Sequence, residues 1–373
     1  MMRGTWRIAR IFGIDVNIDS SWLIVFVLIT WTLAGSYFPT QYPGWDSWLH
    51  WTVGVATSVL FFASVLAHEL AHSLVAIRQG EKVRSITLFI FGGVAEITEE
   101  PDRATKEFFM AIVGPLSSLA IALAFGILWL AVRGVSEPVG ALARYLAMIN
   151  ASLAFFNLIP GFPLDGGRVL RALIWGISGN LRAATLAASW FGQGIALLFM
   201  LWGIWQVFTG AFIDGLWIAF IGWFLRNASI SGYRQVVMRD MLRDVRAGDL
   251  MTRDFETVSP ALTIQQIVDD YVLRRRDHAY PVADGDRLRG IICLHDVRAV
   301  PRQQWTSTLV GEVMTPWEKL ATVSVEDDGN TVLASMNSHD VGQLPVVEGN
   351  RVIGMLRRGD VIRFMQLRGE LGI

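Results

Sequence analysis

The sequence predicts an α-helical polytopic membrane protein, with six transmembrane helices and a membrane-associated β-hairpin, followed by a C-terminal α/β module built from a repeated unit. Three observations predict it. Hydrophobic residues make up 53% of the 373 positions and charged residues 17%, with 15 Trp and 21 Phe, which is too apolar for an ordinary water-soluble globule. Apolar runs long enough for a bilayer core, about 20 residues each, recur up to about Asn227. From about Ser229 the composition turns charged and the chain repeats itself.

The composition also excludes partners. Net charge is −1 and no basic block or basic stripe interleaved with aromatics appears, which argues against nucleic acid. The single cysteine, Cys293, excludes an internal disulfide and a cysteine-rich metal cluster. The N-terminal segment MMRGTWRIARIFGIDVNI has no small-residue cleavage site after a short apolar core, so it is expected to be retained.

The six expected spans are Ser21–Phe38, Trp51–Ile77, Glu107–Val132, Val139–Ile159, Ala183–Phe208 and Phe212–Asn227, the last being the shortest. Their connections are asymmetric in Lys and Arg. Arg3, Arg7 and Arg10 precede the first span; Arg78, Lys82, Arg84, Arg103 and Lys106 follow the second; Arg168, Arg171 and Arg182 follow the fourth. The loop between the first two, PTQYPGWDSWLH, has none. The positive-inside rule therefore places both termini in the cytoplasm of a multi-pass cell-membrane protein.

The second span carries HELAH. His68 and His72 are four residues apart, so on a helix they share a face and can occupy two corners of a tetrahedral zinc site. Glu69 lies one position round, placed to take a proton from water at the metal. An ionisable group near the bilayer centre costs about 2.5–3.5 kcal/mol on insertion scales and is usually kept there for function. A catalytic zinc needs a third protein ligand. His50 lies at the far end of the span and His278, His295 and His339 lie in the soluble module, which leaves carboxylates. Asp165 stands out in NLIPGFPLDGGR, where Pro160, Gly161 and Pro163 break the fourth span and Gly166 and Gly167 permit turns back toward the histidines. A plain exit turn is the alternative for that loop.

Between the second and third spans, SITLFIFGGVAEI (Ser85 to Ile97) is too short and glycine-broken to span but rich in strand formers. It is expected to be a hairpin whose edge, at Gly93, Val94 and Ala95, holds an unwound substrate segment by strand addition. A hairpin that only packs on the core is the alternative.

HELAH in one span and NLIPGFPLDGG at the end of a later one together resemble the site-2 protease family of intramembrane zinc metalloproteases. The resemblance implies one zinc per chain held by His68, His72 and Asp165, Glu69 as catalytic acid and base, and Asn157 as a polar group that helps hold substrate; Asn157 could equally satisfy backbone freed by Pro160. It implies single-pass or other transmembrane proteins as substrates; with the second span running from outside to inside and the exit of the fourth on the same side, the cut is expected in the cytoplasmic half of the bilayer. Three other readings fare worse. GISG, Gly176 to Gly179, matches the short serine motif of rhomboid proteases, but the spans after Ser178 contain no histidine base. A transporter has no need of Glu69 between two histidines at zinc spacing, and an inactive receptor has no need of the full ligand set.

In the soluble part, DLMTRDFETV from Asp249 returns as EVMTPWEKLATV from Glu312, and YPVADGDRLRGIICLHDV from Tyr280 returns as LPVVEGNRVIGMLRRGDV from Leu344. Pro281 and Pro345, Gly290 and Gly354, and Asp296 and Asp360 share an offset of 64 residues. Both units resemble CBS motifs, which gives the expected domains: 1–228 the membrane metalloprotease, 229–244 a linker, 245–305 and 306–373 the two motifs, an arrangement similar to that of prokaryotic family members. CBS pairs often bind adenine nucleotides through such aspartates. Here Cys293 and Arg357 stand where that family places Thr or Ser, so a structural or homodimer-forming role for the pair stands beside nucleotide binding at Asp296 and Asp360, with Arg357 and Arg358 placed to meet phosphates.

Overall fold

The structure is a computed structural model that describes residues 5–90, 92–97, 101–275, 279–285, 287–349 and 351–371. His278 and the turn residues Asp286 and Asn350 lie outside the described residues. The chain divides into two compact units, Met1–Arg234 and Gln235–Ile373.

The first unit opens with strands β1 (Thr5–Ile11) and β2 (Ile14–Asp19), joined by a turn in which Phe12 and Gly13 both have positive φ. Helices α1 (Ser20–Gln41) and α2 (Ser47–Arg78) follow. Asp19 caps the start of α1 by accepting the Ser21 N–H at 2.9 Å. Strands β3 (Val83–Phe89) and β4 (Gly92–Ile97) lead to α3 (Ala104–Val132), α4 (Glu137–Asn157), α5 (Asp165–Ser178), α6 (Leu181–Phe208) and α7 (Phe212–Leu242).

Three expectations change. Among the described residues, five helices are long and apolar enough to cross a membrane: α1, α2, α3, α4 and α6. The expected sixth span is helical but falls outside that set, because Asp214, Arg226 and Asn227 dilute its apolar run. It also does not stop at Asn227: α7 continues to Leu242 through most of the expected 229–244 linker. Finally, the hairpin is half of a larger sheet. β1 and β2 join it in the order β1-β2-β3-β4, with β2 parallel to β3, around Ile14, Val16, Ile86 and Leu88, all at most 3% exposed. β4 stays at the edge, with Gly93 opposite Leu88 and Val94 opposite Thr87.

In the second unit the repeats interleave. β5 (Ala279–Asp284) and β6 (Arg287–Cys293) form an antiparallel pair, but their third strand, β7 (Thr315–Pro316), comes from the second repeat. Reciprocally, β9 (Gln343–Glu348) and β10 (Arg351–Arg357) pair with β8 (Val323–Ser324), and Thr252 of the first repeat bridges to Met355. The glycines at the 64-residue offset mark the exchange: Gly290 packs on Met314 and Thr315, where a Cβ would strike the Thr315 carbonyl, and Gly354 packs on Met251, where it would strike the sulfur. Each half thus completes its core with the other repeat's first segment, as in the cluster of Ala247, Leu250, Leu344 and Val346.

Candidate metal centre

His68 and His72 sit on the buried face of α2, 5% and 6% exposed. Asp165 comes from a different direction. α4 ends at Asn157 and the chain crosses to α5 through Pro160 and Pro163, with the Phe162 N–H held by the Ala188 carbonyl of α6 at 3.1 Å. The two glycines after Asp165 let the first turn of α5 lie on that crossing: a Cβ at Gly166 would strike the Leu158 carbonyl, and one at Gly167 the Gly161–Phe162 backbone. Asp165 is then the first residue of α5 and its side chain meets both histidines.

Asp165 Oδ2 lies 3.1 Å from His68 Nε2 and 3.2 Å from His72 Nε2, and the two nitrogens are 3.2 Å apart. The opposite ring atoms fix what these atoms offer. His72 Nδ1 donates to the Met110 carbonyl at 2.6 Å, and His68 Nδ1 stands 2.9 Å from Ser118 Oγ. A carbonyl only accepts, so His72 Nδ1 carries a proton and Nε2 is the ring atom left to face Asp165. The two Nε2 atoms and a carboxylate oxygen converge on one point, each offering one ligand atom to a metal. Bond lengths of 2.0–2.1 Å to a tetrahedral zinc place neighbouring ligands about 3.3–3.4 Å apart, within about 0.3 Å of the three separations here. Donor types and spacing both fit zinc.

Glu69 projects beside this cluster, under β4: a Cβ at Gly93 would overlap the Glu69 side chain, so glycine is what lets the edge strand lie against it. Val94 is exposed and Ala95 half-buried along the same strand. Asn157 is placed less tellingly, since its Nδ2 donates to the Leu153 carbonyl at 3.0 Å within its own helix.

Four contributors from α3 escaped the sequence reading. Met110 and Ser118 hold the outer nitrogens of the two rings. Gly114 lies beneath them, where a Cβ would collide with His72 and His68. Glu107, 1% exposed, pairs with Arg171 of α5, itself 5% exposed, which the sequence marked only as one of the positive-inside residues. The signal was present as GPLSS, a Gly-Pro inside a span followed by two hydroxyls.

In the second unit, Asp296 Oδ2 accepts the Cys293 N–H at 2.8 Å and its thiol at 3.0 Å, capping a short helix (Leu294–Ala299), so that carboxylate is engaged by the protein itself. Arg358, expected to be placed for phosphate, is engaged by Asn337 Oδ1 at 2.9 Å and by the Met336 and Val341 carbonyls, both at 3.3 Å. Asp360 Oδ2 has no hydrogen-bond partner among the described residues.

Comparison with known proteins identifies the family. Residues 56–139 and 131–201 match Peptidase family M50, and residues 247–302 and 310–367 match the CBS domain. The protein named "Putative zinc metalloprotease Rip3" of Mycobacterium tuberculosis is 34% identical over 370 residues, covering 98% of this chain and 94% of its own. "Zinc metalloprotease MJ0392" of Methanocaldococcus jannaschii is 29% identical over 97% of this chain and 96% of its own. Among solved structures, the site-2 protease from the same archaeon aligns over 61% of this chain and 94% of its own, at 26% identity and a TM-score of 0.42. The chain belongs to peptidase family M50 and is a site-2 protease-type zinc metalloprotease with a C-terminal pair of CBS domains.

Proposed function

We propose that the protein is an intramembrane endopeptidase that hydrolyses peptide bonds within transmembrane segments of other membrane proteins, in the cytoplasmic half of the bilayer. The observation that carries this reading is the convergence of His68, His72 and Asp165, two of them from the last third of a spanning helix, with one possible ligand atom each turned to a common point. His68 lies ten residues before Arg78, roughly 15 Å along the helix from the basic boundary that the positive-inside rule makes cytoplasmic.

His68, His72 and Asp165 hold the metal. When bound, zinc supplies Lewis acidity that polarises the scissile carbonyl and acidifies a water molecule. Glu69 takes the proton of the attacking water and delivers it to the leaving amine as the C–N bond breaks. A helical substrate must unwind first, and the free edge of β4 at Gly93, Val94 and Ala95 receives it as an added strand, which brings the peptide backbone alongside Glu69. Asn157 holds the substrate from the end of α4. The CBS pair regulates the protease or pairs two chains. Adenine nucleotide at this pair depends on Asp360, since Asp296 is spent on its helix cap.

The test uses detergent-purified protein, zinc determination and a single-span substrate. Glu69→Gln is expected to keep about one zinc per chain and lose cleavage, while a His68→Ala/His72→Ala variant loses both. Cleavage by Glu69→Gln, or wild-type protein without zinc, would overturn the reading. ATP titration of the same protein tests the CBS pair, where no heat at millimolar ATP removes the nucleotide.

A further inference from the structure

The geometry points to the buried Glu107–Arg171 ion pair as the element that sets the position of Asp165 relative to the two histidines, so that these two residues are positioning residues for the metal centre. This rests on the reading that His68, His72 and Asp165 hold the metal.

Glu107, Met110, Gly114 and Ser118 recur along α3 at intervals of three and four, which puts them on one face. That face serves two other helices at once. To α2 it offers the Met110 carbonyl for His72 and Ser118 Oγ for His68, with Gly114 leaving room for both rings. To α5 it offers Glu107, whose Oε1 receives Arg171 Nε at 2.7 Å and also the Arg171 terminal nitrogen. Arg168 Nε stands 3.8 Å from the same oxygen, and its terminal nitrogen lies 3.3 Å from Met110 Sδ.

Asp165, Arg168 and Arg171 are spaced by three along the first two turns of α5. Fixing the two arginines on α3 therefore fixes the start of the helix, where Asp165 is. The crossing before it is held from the same point: the Arg171 guanidinium lies 5.2 Å from the centre of the Phe162 ring. Without this anchor, the carboxylate would depend on a Pro/Gly crossing and two glycines to hold its place. A metal site tolerates ligand errors of only about 0.2 Å, and partners one shell out from a metal are worth about 10–100-fold in affinity.

A single neutralisation leaves the other charge buried and alone, which damages folding by itself. The informative variant is therefore Glu107→Gln/Arg171→Met, which removes both charges, compared in the full-length detergent-purified protein with Arg171→Lys and Asp165→Ala. Zinc affinity is measured by chelator competition, the ligand set by the visible spectrum of the cobalt-substituted protein, and folding by thermal unfolding of the metal-free form. The double variant is expected to bind zinc about 10–100-fold more weakly and to shift the cobalt bands toward those of Asp165→Ala, with its metal-free unfolding temperature close to wild type. Arg171→Lys, which keeps the charge and loses the fork, is expected to fall between. Wild-type zinc affinity and cobalt spectrum in the double variant, whatever its unfolding temperature, would make the pair a purely structural tie and overturn the inference. If the double variant does not fold, the same two readings on Arg171→Lys decide it. If Asp165→Ala itself leaves zinc affinity unchanged, the ligand assignment fails and the inference falls with it.

Discussion

Replacing Gly114 by alanine tests whether the geometry of α3 governs the metal centre. The added Cβ would lie 2.8 Å from His68 Nε2 and closer still to His72, whereas real Cβ atoms essentially never approach a heavy atom within 3.0 Å. Ordinary contact, at 3.4 Å or more, requires the His68 ring to move about 0.6 Å and the His72 ring further. Neither ring can give way easily. His72 is held by the Met110 carbonyl at 2.6 Å and His68 by Ser118 at 2.9 Å, both from the helix that carries the new methyl group. A shift of that size is about three times the 0.2 Å tolerance of a metal site, and a misplacement of about 1 Å in a catalytic constellation costs about 10²-fold in rate. Gly114→Ala is therefore expected to lose at least about tenfold in zinc affinity, measured by chelator competition, and about a hundredfold in cleavage. Gly126→Ala on the same helix is the control: a Cβ there meets nothing within 4 Å, so the substitution should leave zinc and cleavage unchanged and gain up to about 1 kcal/mol in helix propensity. Wild-type zinc affinity in Gly114→Ala would refute the reasoning, because the rings would then have room that the structure denies them.

Other perturbations probe different parts of the molecule. Val94→Pro removes one N–H from the edge strand β4 and fixes its φ; substrate cleavage should fall by an order of magnitude or more with zinc content unchanged, and equal cleavage would end the strand-addition proposal. Gly192→Ala drives a Cβ into the Phe162 backbone at the crossing before Asp165, which cannot yield as a side chain would; a loss of about 1–3 kcal/mol in thermal unfolding is expected. Burial, and then the neighbouring Asp296, push the Cys293 thiol pKa up, so at pH 8 less of it is thiolate than for an ordinary cysteine; alkylation by iodoacetamide should be slower than for free cysteine and should speed up in Asp296→Asn.

How much of this was legible in the sequence depends on the solvent each part faces. The CBS repeats and five of the six expected spans were readable because strand alternation and bilayer-length apolar runs record contact with water or its absence. HELAH and the aspartate of PLDGG were readable because a polar group in an apolar run has few structural reasons to exist. The N-terminal strands were missed because WRIARI and IDVNI are too short and mixed to stand out from a flanking segment, and they become strands only where β2 finds β3 as a parallel neighbour. The reach of α7 past Asn227 was missed because hydropathy reports where a helix leaves the membrane and says nothing of where it ends.

The arrangement of the spans around the site was not readable for a deeper reason. In lipid the hydrophobic effect does not choose which helix faces pack, since hydrocarbon is as apolar as leucine; close approach of small residues and buried polar contacts choose instead. Both are visible here. Gly54 of α2 lies against Ala34 of α1, Gly161 against Gly192 of α6, and Gly203 of α6 against Gly215 and Ala219 of α7, each with no space for a Cβ. Thr30 donates to Ser58 across α1 and α2 at 2.9 Å, and Asn150 of α4 to Ser64 of α2 at 3.3 Å. Apolar periodicity carries almost none of this information, so Arg171 could be read only as one of the basic residues that mark the cytoplasmic side: in a soluble protein an arginine near a helix start is usually solvated. In this one it is 5% exposed and matched to a glutamate 64 residues earlier that hydropathy treats only as the edge of a span. Two charges removed from water in one place have to be matched in geometry as well as in sign, which makes such a pair a more precise register mark between α3 and α5 than any apolar contact nearby. The metal centre, which needs three side chains from two helices to agree within tenths of an ångström, sits where that register is set.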